Sequence, residues 1–359
     1  MSRGRRLPSP RLRHRRQAGL TVVEIMVGAA IGLFLVTVMG SMFLGSKTTF
    51  NHQNHLARLQ ENGRFAIEAI AADLRMAGFR GCRGSAAATF TNTLNSASTL
   101  LYNHAQGIWA SRHNGSNWVP ALSSQIQSPA LAPAPSASGN VLSVRRAVGR
   151  GLALTGEMAS ATANLQVSSG VALAKGDVLM VSDCAGAAVF QVSNTNAGST
   201  GSVAHDSAVA LTPGMSTSSL GRPYLQDALL HRLSTITYYV AASQRSGKTH
   251  LNALWSYTVP AYDGSTQPQE LVTGVDGFRV QLGLDTDGDG AVDAYSNPTS
   301  TLALNQVVTA LVELVLVSAD DRITTAPQPY RFAGATVTPT DRRLRTVMSS
   351  TISLRNALR

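Results

Sequence analysis

Ala18-Gly19-Leu20-Thr21-Val22-Val23-Glu24-Ile25-Met26-Val27 is the stretch on which the reading of this chain turns. It opens an apolar run from Leu20 to Leu44, 25 residues in which Glu24 is the only ionisable side chain. A helix of that length crosses roughly 30 Å of hydrocarbon. It exceeds the apolar core of about 7–15 residues found in an ordinary secretory signal peptide, and no convincing small-x-small cleavage site follows it. On its N-terminal side lie Arg3, Arg5, Arg6, Arg11, Arg13, Arg15 and Arg16, with no acidic residue among them. That asymmetry orients the N-terminus to the cytoplasm and the remainder of the chain outside. The whole chain carries a formal charge of +10, and without these seven arginines +3 remains. The basicity therefore belongs to the first sixteen residues. No basic patch with interleaved aromatics is left in the body, which argues against a nucleic-acid partner.

A carboxylate within a membrane segment costs on the order of 2.5–3.5 kcal/mol, so Glu24 calls for a function. A plain signal anchor or an unusual cleavable signal peptide explains the apolar run and leaves Glu24 unexplained. Cleavage after Gly19 would make Leu20 the new N-terminus and set its ammonium four residues from Glu24. In a staggered bundle of such helices, the ammonium of one subunit can pair with Glu24 of the next.

These residues resemble the class III signal of type IV prepilins, in which a basic leader, a glycine, an apolar run and a glutamate stand at fixed offsets. The resemblance implies that a prepilin peptidase cuts after Gly19, that Leu20 is N-methylated, and that Glu24 sets subunit register. Leu20 stands where the family usually has phenylalanine. The helix also lacks the proline near the middle of many major pilins, with Ser41 near that place. The peptidase of that family tolerates the leucine, and the missing proline points to a minor subunit rather than the abundant shaft subunit.

No proline occurs between Leu20 and Trp118. Beyond the membrane, Leu56, Leu59, Gly63, Ile67, Ile70, Leu74 and Ala77 recur at three- and four-residue steps, which predicts an amphipathic helix to about Met76 stopped by Gly78. The whole helix would be about 85 Å long at about 1.5 Å per residue. After Gly78 the helical period disappears. Runs at Asn140–Val148, Asp177–Ser182, Ala188–Ser193, Leu230–Ala241, Leu251–Val259, Phe278–Leu284, Val307–Val317 and Arg345–Leu354 read as strands. The Pro/Ala/Ser-rich stretch 123–139 reads as a loop or linker, and 194–223 as another turn-rich region.

The expected organisation is a leader (1–19), a transmembrane helix (20–44), its amphipathic continuation (45–77) and a β-rich body (78–359) with room for two subdomains. The fold class is α+β: a long N-terminal helix followed by an antiparallel β-rich domain, as in type IV pilins. Cys82 and Cys184, in a body outside the cytoplasm, read as a disulfide, with two independent buried thiols as the alternative.

Local patterns also resemble the PilW group of minor pilins: Ala77-Gly78-Phe79-Arg80-Gly81-Cys82, Asp177 to Cys184, Gly283 to Gly290, and Ser353-Leu354-Arg355-Asn356. Nothing between Gly84 and Gly139 carries the resemblance. It implies a low-abundance subunit that primes pilus assembly and sits near the tip, supporting adhesion and twitching. The implied partners are other minor and major pilins, the prepilin peptidase, the inner-membrane assembly machinery and a tip adhesin. The implied location is the inner membrane before assembly and the cell-surface pilus afterwards.

Asp285-x-Asp287-x-Asp289-Gly290-x-x-Asp293 places alternating carboxylates and a glycine as an EF-hand-type calcium loop does. Ser296 stands at the twelfth position, where a bidentate glutamate belongs, so the expectation is a weak structural Ca²⁺ site or a metal-free acidic turn. No cofactor is otherwise required. Ala242-x-x-x-x-Gly247-Lys248-Thr249 mimics a phosphate-binding loop, but Leu251–Val259 after it reads as a strand, so a hairpin turn is the better account. His52 and His55 lie three apart on the helix without a third ligand nearby in sequence. No nucleophile elbow, zincin or paired-cysteine motif occurs, and nothing calls for an enzyme. The alternatives are a minor pseudopilin of a type II secretion system and, in another class, a membrane-anchored periplasmic enzyme or calcium-binding module.

Overall fold

The computed structural model describes residues 19–81 and 89–356. The leader and Cys82 lie outside the described residues. Helix α1 spans Val22–Met76. By their internal contacts the residues form two units, the first ending at Asn54 and the second beginning at His55.

In the first unit the apolar residues of α1 are exposed on every side, among them Leu20, Phe34, Met39 and Phe43. A helix apolar all round, with no protein to bury it, is suited to lipid. Its hydroxyls are satisfied within the helix: Thr37 Oγ1 donates to the Leu33 carbonyl and Ser41 Oγ to that of Val38, both at 2.8 Å. This is the local solution that hydrocarbon demands of polar groups. Ser41 therefore returns its bond to the backbone, and α1 runs through this point unbroken.

In the second unit the helix acquires a buried stripe. Leu59, Gly63, Ala66, Ile70, Leu74 and Ala77 are buried, with Leu56 and Ile67 packed alongside. This is the stripe expected from the three- and four-residue spacing, and the helix ends at the expected Met76. Full burial of Leu59, Ile70 and Leu74 contributes about 1.5–3 kcal/mol each. Gly78 terminates the helix at φ +66°, donating its N–H to the Arg145 carbonyl at 3.0 Å. A Cβ at Gly107 would lie 2.6 Å from the Gly78 nitrogen, so backbone meets backbone here and Gly107 has to lack a side chain.

The body holds two main sheets. The larger comprises β1 (Thr89–Asn92), β2 (Ile108–His113), β3 (Trp118–Val119), β4 (Val141–Ala153), β6 (Val178–Ser182), β7 (Gly186–Gln191), β9 (Leu229–Ala242), β10 (Asn252–Val259) and β11 (Gln269–Thr273). Between these, β5 (Leu165–Gln166) pairs with β8 (Ser202–Val203), and a single helical turn, α2, spans Ala197–Thr200. The second sheet is ordered β13-β12-β14-β17, from β12 (Val275–Leu284), β13 (Ala294–Ser296), β14 (Val307–Val317) and β17 (Arg345–Ser353). A small hairpin pairs β15 (Tyr330–Phe332) with β16 (Ala335–Val337). Pairing is antiparallel throughout the second sheet, and in the larger sheet β1·β7 is parallel.

Strand β9 is the spine of the larger sheet. One edge pairs with β4; the other pairs with β6 at its start and with β10 along its second half. Side chains alternate across this sheet, and both faces are covered. Leu142, Val144, Tyr238, Val240 and Leu254 join α1 and the second sheet in one apolar cluster. Val141, Tyr239, Ala241, Ala253 and Trp255 pack on the other side with Ile126 and Leu131 from the Pro/Ala/Ser-rich loop. Strands buried on both faces read as near-continuous apolar runs, which is why these were legible.

Candidate assembly site

Gly19 and Leu20 precede α1 in exposed chain, and nothing lies within 4 Å of where a Cβ on Gly19 would stand. Thr21 and Glu24 close on each other at the helix start. The Thr21 N–H and hydroxyl donate to Glu24 Oε2 at 2.9 and 3.0 Å, and the Glu24 N–H donates to Thr21 Oγ1 at 3.3 Å. This is a capping box, satisfying two backbone donors that a helix N-terminus otherwise leaves open. Its signature, a threonine three residues before a glutamate, is present in the sequence and was obscured by the register reading.

At the other end of α1, the helix is locked to the body by a buried polar group. Asp73 on α1 accepts from the Tyr238 hydroxyl of β9 at 2.6 Å and pairs with Arg146 Nε of β4 at 2.7 Å. Burial raises the Asp73 pKa, with Arg146 and Tyr238 opposing; burial wins. Tyr238 is pushed well above the usual phenol range by burial and by the Asp73 charge. Close by in the fold, Arg145 is buried without a carboxylate partner among the described residues. Its guanidinium donates to the Leu100 carbonyl at 2.9 and 2.6 Å and to that of Gln106 at 2.9 Å. These charge-assisted bonds pin the loop that follows β1 to the sheet, while burial brings the Arg145 pKa down to about 10. His104 in the same loop is driven down to about 3 by burial and by the Arg145 charge, and so stays neutral.

The acidic run forms the turn between β12 and β13, where Leu284 faces Ala294. Carboxylate oxygens of Asp285, Asp287 and Asp289 lie within 4.8 Å of one another. Asp285 also accepts from the Gly288 and Gly290 N–H groups at 2.6 and 2.9 Å. Asp293 is turned elsewhere, accepting from the Thr286 N–H and hydroxyl at 2.7 and 2.6 Å, which lowers its pKa. Ser296, at the twelfth loop position, ends β13 and gives its hydroxyl to the Asn297 carbonyl.

The phosphate-loop mimic is the β9–β10 connection. Its turn is closed by Glu270, which accepts from the Ser243 hydroxyl and the Gln244 N–H at 2.9–3.0 Å, and Gly247 adopts φ +71°. His55 Nε2 lies 3.7 Å from Asp320 Oδ2, so it faces the body rather than a metal set with His52. Cys184 is disulfide-bonded; Cys82, its expected partner, lies outside the described residues. Beside it, Asp183 pairs with Arg222, whose guanidinium stacks 4.4 Å from the Tyr224 ring.

A long apolar N-terminal helix and a mainly antiparallel β-rich body are found, as the α+β class expected from the sequence requires. Residues 237–356, from the second half of β9 to the chain's C-terminal turn, match the PilW family model, Type IV Pilus-assembly protein W. The resemblance read from the sequence is borne out over that third of the chain. In fold the chain is similar to a type IV-like pilin from Thermus thermophilus, at 11% identity and a TM-score of 0.35, covering 84% of this chain and 99% of that one. No curated protein matches the sequence.

Proposed function

We propose that this chain is a minor type IV pilin, a structural and non-catalytic subunit that primes pilus assembly and enters the filament at or near its tip. The observation that carries the proposal is an exposed apolar N-terminal helical segment bearing one carboxylate at its start, in a chain whose residues 237–356 match the type IV pilus-assembly family. In this reading the helix resides in the inner membrane with the body outside. Cleavage after Gly19 frees an ammonium on Leu20, which is then methylated. Glu24 exchanges its Thr21 cap for the ammonium of a neighbouring pilin, and helix packing in the bundle replaces lipid. Adhesion and twitching then depend on this chain through pilus number.

Asp285, Asp287 and Asp289 serve as a weak calcium site that stiffens the β12–β13 turn, with Asp293 held in reserve on Thr286. The Cys82–Cys184 bridge fastens the top of the helix to β6 and β7. The rival filament reading is a minor pseudopilin of a type II secretion system. The experiment is complementation of a deletion strain with wild type and Glu24→Ala, scoring surface pili, twitching and secretion separately. Restored pili with wild type and at least tenfold fewer with Glu24→Ala support the proposal. Restored secretion without pili points to the pseudopilus. Equal function of both forms removes the assembly role of Glu24.

A further inference from the structure

A cavity of about 380 Å³ opens at the edge of the larger sheet, beside β3 and the Pro/Ala/Ser-rich loop. Its volume falls within the roughly 300–1,000 Å³ typical of small-ligand sites. Trp118, Leu122 and Pro135 supply an apolar wall, Asn117, Gln127 and Ser128 supply polar groups, and the rest of the lining is alanine. No charged side chain is among these lining residues, which disfavours anionic ligands, nucleotides and metal ions.

What remains is a neutral ligand with an apolar face and several hydroxyls. Trp118 is packed against its cross-strand neighbour His113, whose ring meets it edge-on at 5.3 Å, and it is partly exposed and lines the cavity. An indole fixed in this way offers a flat apolar platform. Asn117 and Ser128 make no side-chain hydrogen bond among the described residues, and Gln127 commits only its amide nitrogen, to the Leu122 carbonyl. Two carboxamides and a hydroxyl present donors and acceptors side by side, as neighbouring hydroxyls on a sugar ring require. We infer that this cavity is a binding site for an uncharged saccharide, one ring lying against Trp118 and its hydroxyls meeting Asn117, Gln127 and Ser128. The site lies outside residues 237–356, the part that matches the pilus-assembly family. It therefore equips this chain with a recognition function independent of the assembly role.

The test is ligand-observed saturation-transfer NMR on the full chain in a detergent without a sugar headgroup. The probes are glucose, galactose, N-acetylglucosamine and lactose at millimolar concentration, with a proline-rich decapeptide beside them. The expected result is saturation transfer to the ring protons of at least one saccharide, with affinity falling at least tenfold in Trp118→Ala and severalfold in the exposed-site variant Asn117→Ala. The second variant keeps the test decisive if the first disturbs the fold. No transfer to any saccharide, equal transfer in wild type and Asn117→Ala, or binding of the peptide alone overturns the inference.

Discussion

Replacing Asp73 by alanine and by asparagine separates what the charge does from what the hydrogen bonds do. Both Tyr238 and Arg146 converge on this carboxylate, and its side chain is only 11% exposed. Alanine leaves the Tyr238 hydroxyl with only a long 3.5 Å contact to the Ala69 carbonyl, at about 1–3 kcal/mol for a poorly satisfied buried group. It also leaves Arg146 without its counter-charge; a fully buried pair broken in this way costs about 3–5 kcal/mol. Arg146 is 22% exposed and can turn partly to water, so the second cost is discounted. The expected total for Asp73→Ala is about 3 kcal/mol, or roughly 6–12 °C in Tm at about 2–4 °C per kcal/mol. Asparagine keeps the acceptor for Tyr238 and removes a charge whose burial outweighs its pairing, as the raised pKa states. Asp73→Asn, which also leaves Arg146 without its counter-charge, should therefore cost less than Asp73→Ala by about the 1–3 kcal/mol of the Tyr238 hydrogen bond. The pH dependence follows from the same imbalance. A carboxyl whose folded pKa is raised contributes stability that is complete below its unfolded pKa, about 3.9, and is lost as pH rises through the folded value. Wild type should thus gain on Asp73→Asn as the pH is lowered from 7 towards 4. Thermal unfolding of both variants at pH 7 and pH 4.5 provides the readings. Equal, large losses for alanine and asparagine at pH 7 would refute the reasoning, because they would make the ion pair the dominant contribution.

Gly107→Ala sets a Cβ against the Gly78 backbone and should lower stability by about 3 kcal/mol or abolish folding, read by circular dichroism, whereas Gly115→Ala, where the surroundings are open, should do so only through its φ of +102°. Cys184→Ser should cost about 2–5 kcal/mol under oxidising conditions and nothing further under reducing ones, measured by denaturant titration with and without dithiothreitol. With an expected Kd of about 10⁻⁴–10⁻³ M, 5 mM CaCl₂ should stabilise the body by about 1–2 kcal/mol, and Asp285→Asn should remove that gain in a thermal-shift assay. Asp293→Asn should leave most of it, because Asp293 is committed to Thr286.

Much of this fold was legible because its strongest signals are periodic. The stripe from Leu56 to Ala77 gave the helix and its end, and all eight apolar runs are strands within a few residues. The short strands of residues 89–119 escaped. Thr89–Asn92 is polar and is held by parallel pairing to Gly186–Val189, a partner nearly a hundred residues away that no local pattern announces. The polar anchors were visible but unread. Asp73 stands three residues after Ile70 on the buried stripe, and Arg145-Arg146 interrupts an apolar strand run. Each was a charge where the period demanded an apolar residue, and such exceptions need partners. The acidic loop shows the reverse limit: spacing proposed four ligands, while geometry gathers three and gives Asp293 to Thr286.

The most direct test of the central claim is mass spectrometry of the N-terminal peptide in filaments sheared from the cell surface, with the membrane fraction beside them. A peptide beginning at N-methylated Leu20 in the sheared fraction is the predicted result. An intact leader on the mature protein, in cells whose prepilin peptidase is active, would contradict the filament reading.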